Sequence, residues 1–406
     1  MSTAEHIIIP PSLPWLTVAL ENSDGVKTFI INEGTRICAR AFGETARAIL
    51  LTGSLSRGEA TIEWDGSGWR ALGDATFLVI MDDPVNIDTG QIGAEIENSL
   101  ILGNIRCAIV VVASTTSELS RMRPHIYAYE LRERGKVVWG DENVLDLMPR
   151  FAAAEIPMED GWWFLCNRII EQLETAAKAS PVRKRDAGIR YRIAKLYLSM
   201  AACYLLAIGQ YEPSYQDRER RLRELAASPV PPLCPIPLPR FSLLVSQCTK
   251  LKMQGNAAES TENYPLWRDA IEDAEVLWRW TLSRIVGCKN NGNRAVLLAL
   301  LAKHQPMLTR AKGWLRAALV QPRAFWHNLF RWARLATGGS PRYLVYGAAG
   351  ELFFGGRSGK GASREHLAAI AAKLPLQSDY RQPLSWSSVA MMIADNFHNL
   401  LESNRS

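Results

Sequence analysis

Cysteine and histidine are few and scattered in this sequence, which argues against several kinds of site. The 406 residues include seven cysteines and six histidines. No C-x-x-C pair and no Cys/His cluster with zinc-ligand spacing occurs, and the odd, dispersed cysteines do not indicate a disulfide framework. Reduced thiols fit a cytosolic environment best. We therefore expect a cytoplasmic protein with neither a zinc site nor structural disulfides.

Long apolar runs are also missing. The first residues, MSTAEHIIIPPSLPW, lack the basic start and apolar stretch of a signal peptide. The longest membrane-like stretch, residues 196–209, has fourteen residues, which is too short to cross a bilayer. We expect this stretch to be a buried helix and the chain to have no membrane span.

Acidic residues are absent from residues 276–350, a region that contains twelve Lys and Arg residues. The formal charge of the whole chain is only +6, so charge separates by region. A helix is predicted over 322–336, with a cationic face formed by Arg323, His327, Arg331 and Arg334. The opposite face carries Phe325, Leu329, Trp332 and Ala336.

The basic region 276–350 has two interpretations. Its cationic face could bind nucleic-acid phosphates, with aromatic rings available for stacking, or an acidic protein surface, including the chain's own acidic half, or anionic lipid. Alternatively, it is a solvated basic surface whose Trp and Phe residues belong to the core.

Proline and hydrophobic patterning divide the chain. Six prolines fall within residues 228–240, and such a run blocks helices and removes backbone donors. We predict a fold of class α+β with four parts: a mixed-sheet domain over 1–150, a helical domain over 151–227, an extended connector over 228–240, and a basic helical domain over 241–406.

Local patterns place elements within the first 150 residues. Strands are predicted at 48–54, 75–83 and 105–113, with helices at 34–48 and near 91–102. The segment 125–141 is predicted to be extended or a hairpin with Gly135 at its turn. We expect His125 to belong to the sheet.

The stretch LLTGSLSRGEA contains the motif with the clearest chemistry. Gly53 and Ser54 follow a predicted buried strand. Glycine permits a tight turn and a close approach of the backbone to phosphate. A serine hydroxyl and the N–H groups that follow it can hold phosphate oxygens. A Gly-Ser pair alone is common and carries little weight.

The wider context of this motif resembles the DNA polymerase beta-like nucleotidyltransferase superfamily. The Gly-Ser turn is followed by a strand with an acid at Asp74 and then by a third strand. The stretches 129–141, 191–197 and 209–218 are similar to bacterial members with a helical C-terminal domain. The resemblance covers about residues 34–225 and implies nucleoside monophosphate transfer from an NTP, with Mg²⁺ as cofactor.

The acids that this family uses are mostly missing here. Two Mg²⁺ ions in nucleotidyl transfer need hard oxygen ligands, and the family supplies them as two acids at i and i+2 and a third on a later strand. Asp74 matches the first, Thr76 stands at the second, and residues 105–112 contain no acid. Six nearby acids break the family spacing but could replace them: Glu59, Glu63, Asp65, Asp82, Asp83 and Glu130.

Two further residues are candidates for phosphate contacts. Lys195 resembles the position where related enzymes place a cation near the triphosphate, and Arg57 directly follows the Gly-Ser turn. Each could equally be an ordinary surface residue. The segment 355–363 does not match a P-loop, because Phe354 and Gly361 stand where glycine and Ser/Thr are required. We predict a flexible loop there.

The sequence therefore predicts a nucleotidyltransferase-like protein in which Gly53, Ser54, Arg57 and Lys195 contact nucleotide and Asp74 binds metal. Residue chemistry favours impaired or lost catalysis. The alternative is a non-catalytic scaffold that binds nucleotide, nucleic acid or a partner protein.

Overall fold

The chain forms two compact units in a computed structural model. The structure describes residues 22–178, 186–254, 267–288, 292–320, 322–355, 363–376 and 384–401, without the side chains of 186–189, 322–328 and 401. Among the described residues, the first unit comprises 22–123, 127–150 and 253–254, and the second is built mainly from residues after 150. A mixed sheet lies in the first unit and helices form the second, so the predicted α+β class is confirmed.

The sheet unit contains five strands and five helices in its described residues. In chain order they are α1 Ser23–Phe42, β1 Ala46–Thr52, α2 Gly53–Ser56, β2 Ile62–Trp64, β3 Trp69–Met81, α3 Thr89–Leu102, β4 Ile105–Thr115, α4 Thr116–Ser120, α5 Ile126–Arg134 and β5 Lys136–Gly140. β3 pairs with β1 and β2 in antiparallel fashion and with β4 in parallel, and β5 pairs with β1.

Helices α1 and α3 cover one face of this sheet. Ala75, Phe77 and Val79 alternate along β3 and belong to the same buried cluster as residues of both helices. Gly34 is needed for this packing, because a Cβ at that position would lie 2.1 Å from the Phe77 ring. α1 begins at Ser23, where the Asn22 side chain accepts from two N–H groups, and it ends at Phe42. The predicted helix 34–48 was therefore misplaced at both ends.

β4 lies at one side of the sheet and pairs, among the described strands, with β3 alone. The outer edge of β4 is contacted by α3, which lies next to it along the chain. Glu97 of α3 accepts a hydrogen bond from the Ile109 backbone N–H at 2.8 Å. This carboxylate therefore satisfies a donor that the strand would otherwise offer at its edge.

The prediction of an extended segment over 125–141 was wrong in its first half. Residues Ile126–Arg134 form α5, and only Lys136–Gly140 form a strand. Gly135 does lie at the change of direction, where a Cβ would lie 2.3 Å from the Leu131 carbonyl oxygen. His125 precedes α5 and lies in no strand, contrary to the expectation. Burial lowers the pKa of His125, opposed by the nearby Asp160 carboxylate.

The helical unit contains eleven helices among the described residues. They are α6 Met158–Lys178, α7 Asp186–Ala207, α8 Tyr215–Ala226, α9 Leu238–Gln254, α10 Trp267–Ile285, α11 Arg294–His304, α12 Met307–Val320, α13 Pro322–Thr337, α14 Pro341–Gly355, α15 Arg364–Ala372 and α16 Trp386–Leu401. Trp162 of α6 is fully buried and its ring lies 5.4 Å from that of Trp278 and 5.7 Å from that of Tyr346. Such aromatic pairs each add about 0.5–1.5 kcal/mol beyond area burial.

The stretch 196–209 is a buried helical segment, as predicted. Leu196 through Ala207 belong to α7 and are at most 4% exposed. No helix in the described part of the chain is long and apolar enough to cross a membrane.

The proline-rich stretch 228–240 contains neither helix nor strand before α9 begins at Leu238, and residues on both sides of it belong to the same compact unit.

The basic helix α13 agrees with the predicted amphipathic pattern at Trp332 and differs from it at Arg331 and Leu329. Trp332 is buried and donates from Nε1 to the Pro375 carbonyl oxygen at 2.9 Å. Arg331, placed on the cationic face by the sequence, also turns inward and donates to the carbonyl oxygens of Pro375 and Leu374. Leu329, predicted to be buried, is 41% exposed. The side chains of Arg323, Phe325 and His327 lie outside the described set, and so do residues 356–362 of the loop predicted over 355–363.

Candidate functional site

The Gly53–Ser54 turn begins where β1 ends. Thr52 is extended, and Gly53 has a φ of +72°, a conformation that favours glycine. The turn then closes on itself, since the Glu59 N–H donates to the Ser54 carbonyl oxygen at 2.8 Å. This local geometry agrees with the predicted tight turn after a buried strand.

The same turn lies against β3. The Oγ of Ser54 lies 4.0 Å from the position that a Cβ on Gly73 would occupy. Gly73 directly precedes Asp74, so the serine hydroxyl is beside the strand segment that carries the acid. The pairing of Thr52 with Thr76 across β1 and β3 sets this arrangement.

Asp74 and Thr76 project from the same face of β3. The Thr76 hydroxyl donates to the Asp74 carboxylate at 3.3 Å, as expected for residues at i and i+2 of a strand. Their face is opposite to that of Ala75 and Phe77, which pack in the core with α1 and α3. Asp74 is exposed to solvent.

The neighbouring strand supplies no acid to this face. In the parallel pairing, Ala108 of β4 lies opposite Asp74, and Val110 lies opposite Thr76. Within the described residues, no three His, Cys, Asp or Glu side chains come together in a way that could hold a metal ion. The residues present therefore do not fit a two-magnesium centre.

Arginines engage most of the acids that could have replaced the missing ones. Asp65 pairs with Arg106, and Asp82 pairs with Arg47 at 3.1 Å. Glu63 lies opposite Arg70 in the β2–β3 hairpin. Asp83 is exposed in the segment after β3.

Arg57 forms a buried ion cluster together with the two remaining acids. Its guanidinium donates to Glu59 at 2.8 Å and to Glu130 at 3.1 Å. The side chains of Arg57 and Glu59 are only 6% and 2% exposed. Glu130 lies on α5, 73 residues further along the chain. The structure thus places Arg57 in internal packing next to the turn.

Cys107, a neighbour of this site on β4, was not considered from the sequence. Burial raises the pKa of the Cys107 thiol to about 12, and the nearby Asp74 and Glu97 carboxylates act in the same direction. A thiol with so high a pKa is almost entirely protonated at neutral pH and is a poor nucleophile.

Lys195 lies in the helical unit, on α7. Its ammonium group pairs with Glu171 of α6 and lies 5.8 Å from the centre of the Tyr191 ring. The region 209–218 is also tightly bonded, since Arg218 donates to the Glu212 carbonyl oxygen and the Tyr211 hydroxyl, both at 2.6 Å. The family-like stretches of this unit thus have clear packing roles.

No protein-family model matches this sequence, and no curated protein matches it.

Proposed function

We propose that the sheet unit is a nucleotidyltransferase-like unit that binds a nucleoside triphosphate at Gly53 and Ser54, with transfer impaired or lost. The positive φ of Gly53 and the position of Ser54 beside Gly73 support the binding half of this proposal. Asp74 is the acid that matches the family position, and Mg²⁺ would arrive bound to the triphosphate. Arg57 and Lys195 are also candidate phosphate contacts, although both have carboxylate neighbours.

One observation supports the proposal that nucleotidyl transfer is impaired. Ala108 and Val110 lie opposite Asp74 and Thr76, where the chemistry of two bridging metals needs carboxylates. A methyl group and an isopropyl group offer no ligand to a hard cation. We therefore propose nucleotide binding without efficient transfer, which makes the protein closer to a scaffold than to an enzyme.

Calorimetric titration with a nonhydrolysable ATP analogue, with Mg²⁺ and with EDTA, tests the binding half. We expect Ser54→Ala to weaken binding about tenfold, since bonds to a charged group contribute about 1.5–3 kcal/mol. Asp74→Asn should weaken binding in Mg²⁺ but not in EDTA. Asp83→Asn, an exposed neighbour in sequence, is the matched control and should leave affinity unchanged. Equal affinities for all four proteins would contradict the proposed site.

Incubation with labelled NTPs and Mg²⁺ tests the catalytic half. We expect little transfer to any acceptor by the natural chain, and no difference between it and Asp74→Ala. The double variant Thr76→Asp/Ala108→Asp restores acids next to Asp74 and should increase transfer if the unit descends from an active enzyme. Robust transfer by the natural chain that disappears in Asp74→Ala would show instead that catalysis survives.

For the basic region 276–350 we propose nucleic acid as the partner, with an acidic protein as the other outcome. Lys303 and Arg334 are exposed, and the Phe330 ring is 90% exposed, a combination that suits phosphate contacts and base stacking. Binding of single-stranded RNA that weakens steeply with salt, and weakens in Lys303→Gln/Arg334→Gln, would support it. Salt-independent binding would contradict it.

A further inference from the structure

A cleft in the helical unit is separate from the region around Ser54 and Asp74. It has a volume of about 710 Å³ and is lined by parts of α6, α12 and the start of α14. Small-molecule sites typically have volumes of about 300–1,000 Å³. The cleft is therefore large enough for a metabolite-sized ligand.

Three cations line the cleft, namely Lys312, Arg316 and Arg342. No ion pair is formed by any of the three with the rest of the described chain, although ion pairs are frequent elsewhere in the unit. Arg342 is oriented by the ring of Trp163, whose centre lies 4.4 Å from the guanidinium carbon. Glu159 is the acid among the lining residues, and His304 lies close enough to interact with it.

Ser340 adds a second, independent sign of a ligand. It lines the cleft and is 4% exposed, and its Oγ has no hydrogen-bond partner among the described residues. Its backbone N–H is held by the Gln305 side chain at 3.0 Å. Ser340 directly precedes the fifteen-residue helix α14. Its first residue, Pro341, has no N–H group, and the N–H groups of the first turn after it have no partner within the helix. A buried polar group without a partner is costly unless something satisfies it.

The remaining wall of the cleft is apolar and open to solvent. Leu315 and Leu319 line it and are 64% and 72% exposed. Gly313 allows α12 to approach α14 closely, since a Cβ there would lie 3.2 Å from Pro341. Leucines on one wall and cations beside them favour a ligand that has both an apolar part and a negative charge.

We propose that this cleft binds a small amphipathic anion, a phosphate monoester or carboxylate with an apolar body. The anionic group is held by Lys312, Arg316 and Arg342 together with the Ser340 hydroxyl. The apolar body lies along Leu315 and Leu319.

Calorimetric titration of the full chain with three probes tests the chemistry. Hexyl phosphate has both parts of the ligand, inorganic phosphate has only the charge, and 1-hexanol has only the apolar body. We expect hexyl phosphate to bind at least about tenfold more tightly than either of the others, because burial of apolar surface and ionic hydrogen bonds contribute together. Equal affinities for hexyl phosphate and inorganic phosphate, or no binding of hexyl phosphate, would overturn the proposal.

Matched variants test the location. Lys312→Gln/Arg316→Gln changes exposed side chains of the cleft and should weaken hexyl phosphate binding about tenfold or more. Ser340→Ala should weaken it severalfold without lowering thermal stability. Lys250→Gln/Arg364→Gln removes the same charge at exposed residues outside the cleft and should change the affinity less than about twofold. Equal losses in the two double variants would show that general basicity, and not the cleft, binds the anion.

Vesicle sedimentation separates the two possible sources of the anion. Vesicles that contain phosphatidate offer the same chemistry as a lipid headgroup, and vesicles of phosphatidylcholine alone are the control. If the protein binds hexyl phosphate but does not sediment with phosphatidate vesicles, the natural ligand is a soluble ester. If it does both, and Lys312→Gln/Arg316→Gln loses both hexyl phosphate binding and sedimentation, the ligand is a lipid headgroup. Sedimentation without hexyl phosphate binding would overturn the small-ligand cleft.

Discussion

Arg57 of the sheet unit and Arg331 of the helical unit turn inward and are accommodated in different ways. In the sheet unit, Arg57 is buried and pairs with two carboxylates, Glu59 and Glu130. In the helical unit, Arg331 is half-buried and donates to two backbone carbonyl oxygens, those of Leu374 and Pro375. The first arrangement neutralises the charge, whereas the second satisfies hydrogen bonds and leaves the charge in place.

The difference extends beyond these two residues. Around the Gly53–Ser54 turn, positive charge is balanced within the protein itself. In the cleft of the helical unit, Lys312, Arg316 and Arg342 form no ion pair with the described residues. Glu159 also lines the cleft, and Asp160 is close enough to Arg342 for the two charges to interact. Internal balance stabilises a fold, while unbalanced charge around a cleft favours a ligand of opposite sign. A bound anion is therefore expected in the cleft of the helical unit as well as at the Gly53–Ser54 turn.

The largest expected effect is the loss of Arg57. Arg57→Leu removes the guanidinium that pairs with Glu59, which is 2% exposed, and we expect the sheet unit to lose about 3–5 kcal/mol of stability. Hydrogen exchange of peptides covering β1 and β3 measures this locally. Arg47→Leu, which removes a more exposed pair with Asp82, is the control and should cost no more than about 1 kcal/mol. Equal, small effects would show that the buried cluster contributes little.

A smaller effect is expected from the corresponding change in the helical unit. Arg331→Leu removes a donor from the Leu374 carbonyl oxygen and one of two donors from that of Pro375, which keeps Trp332. It leaves no buried charge unpaired, so a loss of about 1–3 kcal/mol is expected. Hydrogen exchange of peptides from α13 and from residues 363–376 provides the measurement. A loss as large as that of Arg57→Leu would remove the distinction between the two arrangements.

The next change should strengthen an interaction. Burial, and then the charge of Asp160, raises the pKa of Glu159, while His304 opposes the shift. A negative charge on Glu159 would repel the anion that we propose for this cleft. Glu159→Gln should therefore tighten hexyl phosphate binding severalfold at neutral pH. Calorimetric titration measures it, with Glu155→Gln, an exposed neighbour, as the control. Weaker binding by Glu159→Gln would contradict the proposed charge selectivity.

The smallest effect concerns the pH dependence of the sheet unit. The Thr115 backbone N–H, and then the Ser114 hydroxyl, lower the pKa of Glu118 below the ordinary 4.5. A lowered carboxyl pKa stabilises the folded state above about 4.5, and this contribution is lost as the pH falls through the folded-state pKa. Glu118→Gln should therefore flatten the acid limb of the stability curve slightly, since Glu118 is exposed and solvent screens it. An unchanged acid limb would contradict the prediction.

Much of the sheet could be predicted from local pattern, because β1, β3, β4 and the helix after β3 are continuous apolar or periodic runs. α5 could not be predicted in this way, because its first residues, Ile-Tyr-Ala-Tyr, favour a strand by local propensity. Tertiary packing overrides that preference, and Ile126, Ala128 and Leu131 are buried on the helix. The predicted helix 34–48 began at Gly34, whereas in the structure Gly34 lies inside α1, against the Phe77 ring, which is 43 residues away in the sequence.

Part of the candidate site could also be predicted from the sequence. A Gly-Ser pair after a buried strand indicates its own turn, and two strands with a fixed register bring Ser54 close to Gly73. Arg57 forms an internal ion pair with Glu130, and no local sequence pattern connects these two residues. The cleft could not be found at all, since it requires α6, α12 and α14 to meet, and sequence periodicity gives faces but not partners.

Glu97 has a consequence for the protein at high concentration. An unprotected strand at the side of a sheet is a template on which a second molecule can add its own strand, the first step toward fibrils and aggregates. Because the Glu97 carboxylate occupies the Ile109 N–H, an incoming strand must break that bond and leave a negative charge poorly hydrated. Glu97→Ala should accordingly lower the concentration at which the protein begins to aggregate, while the free energy of unfolding changes little.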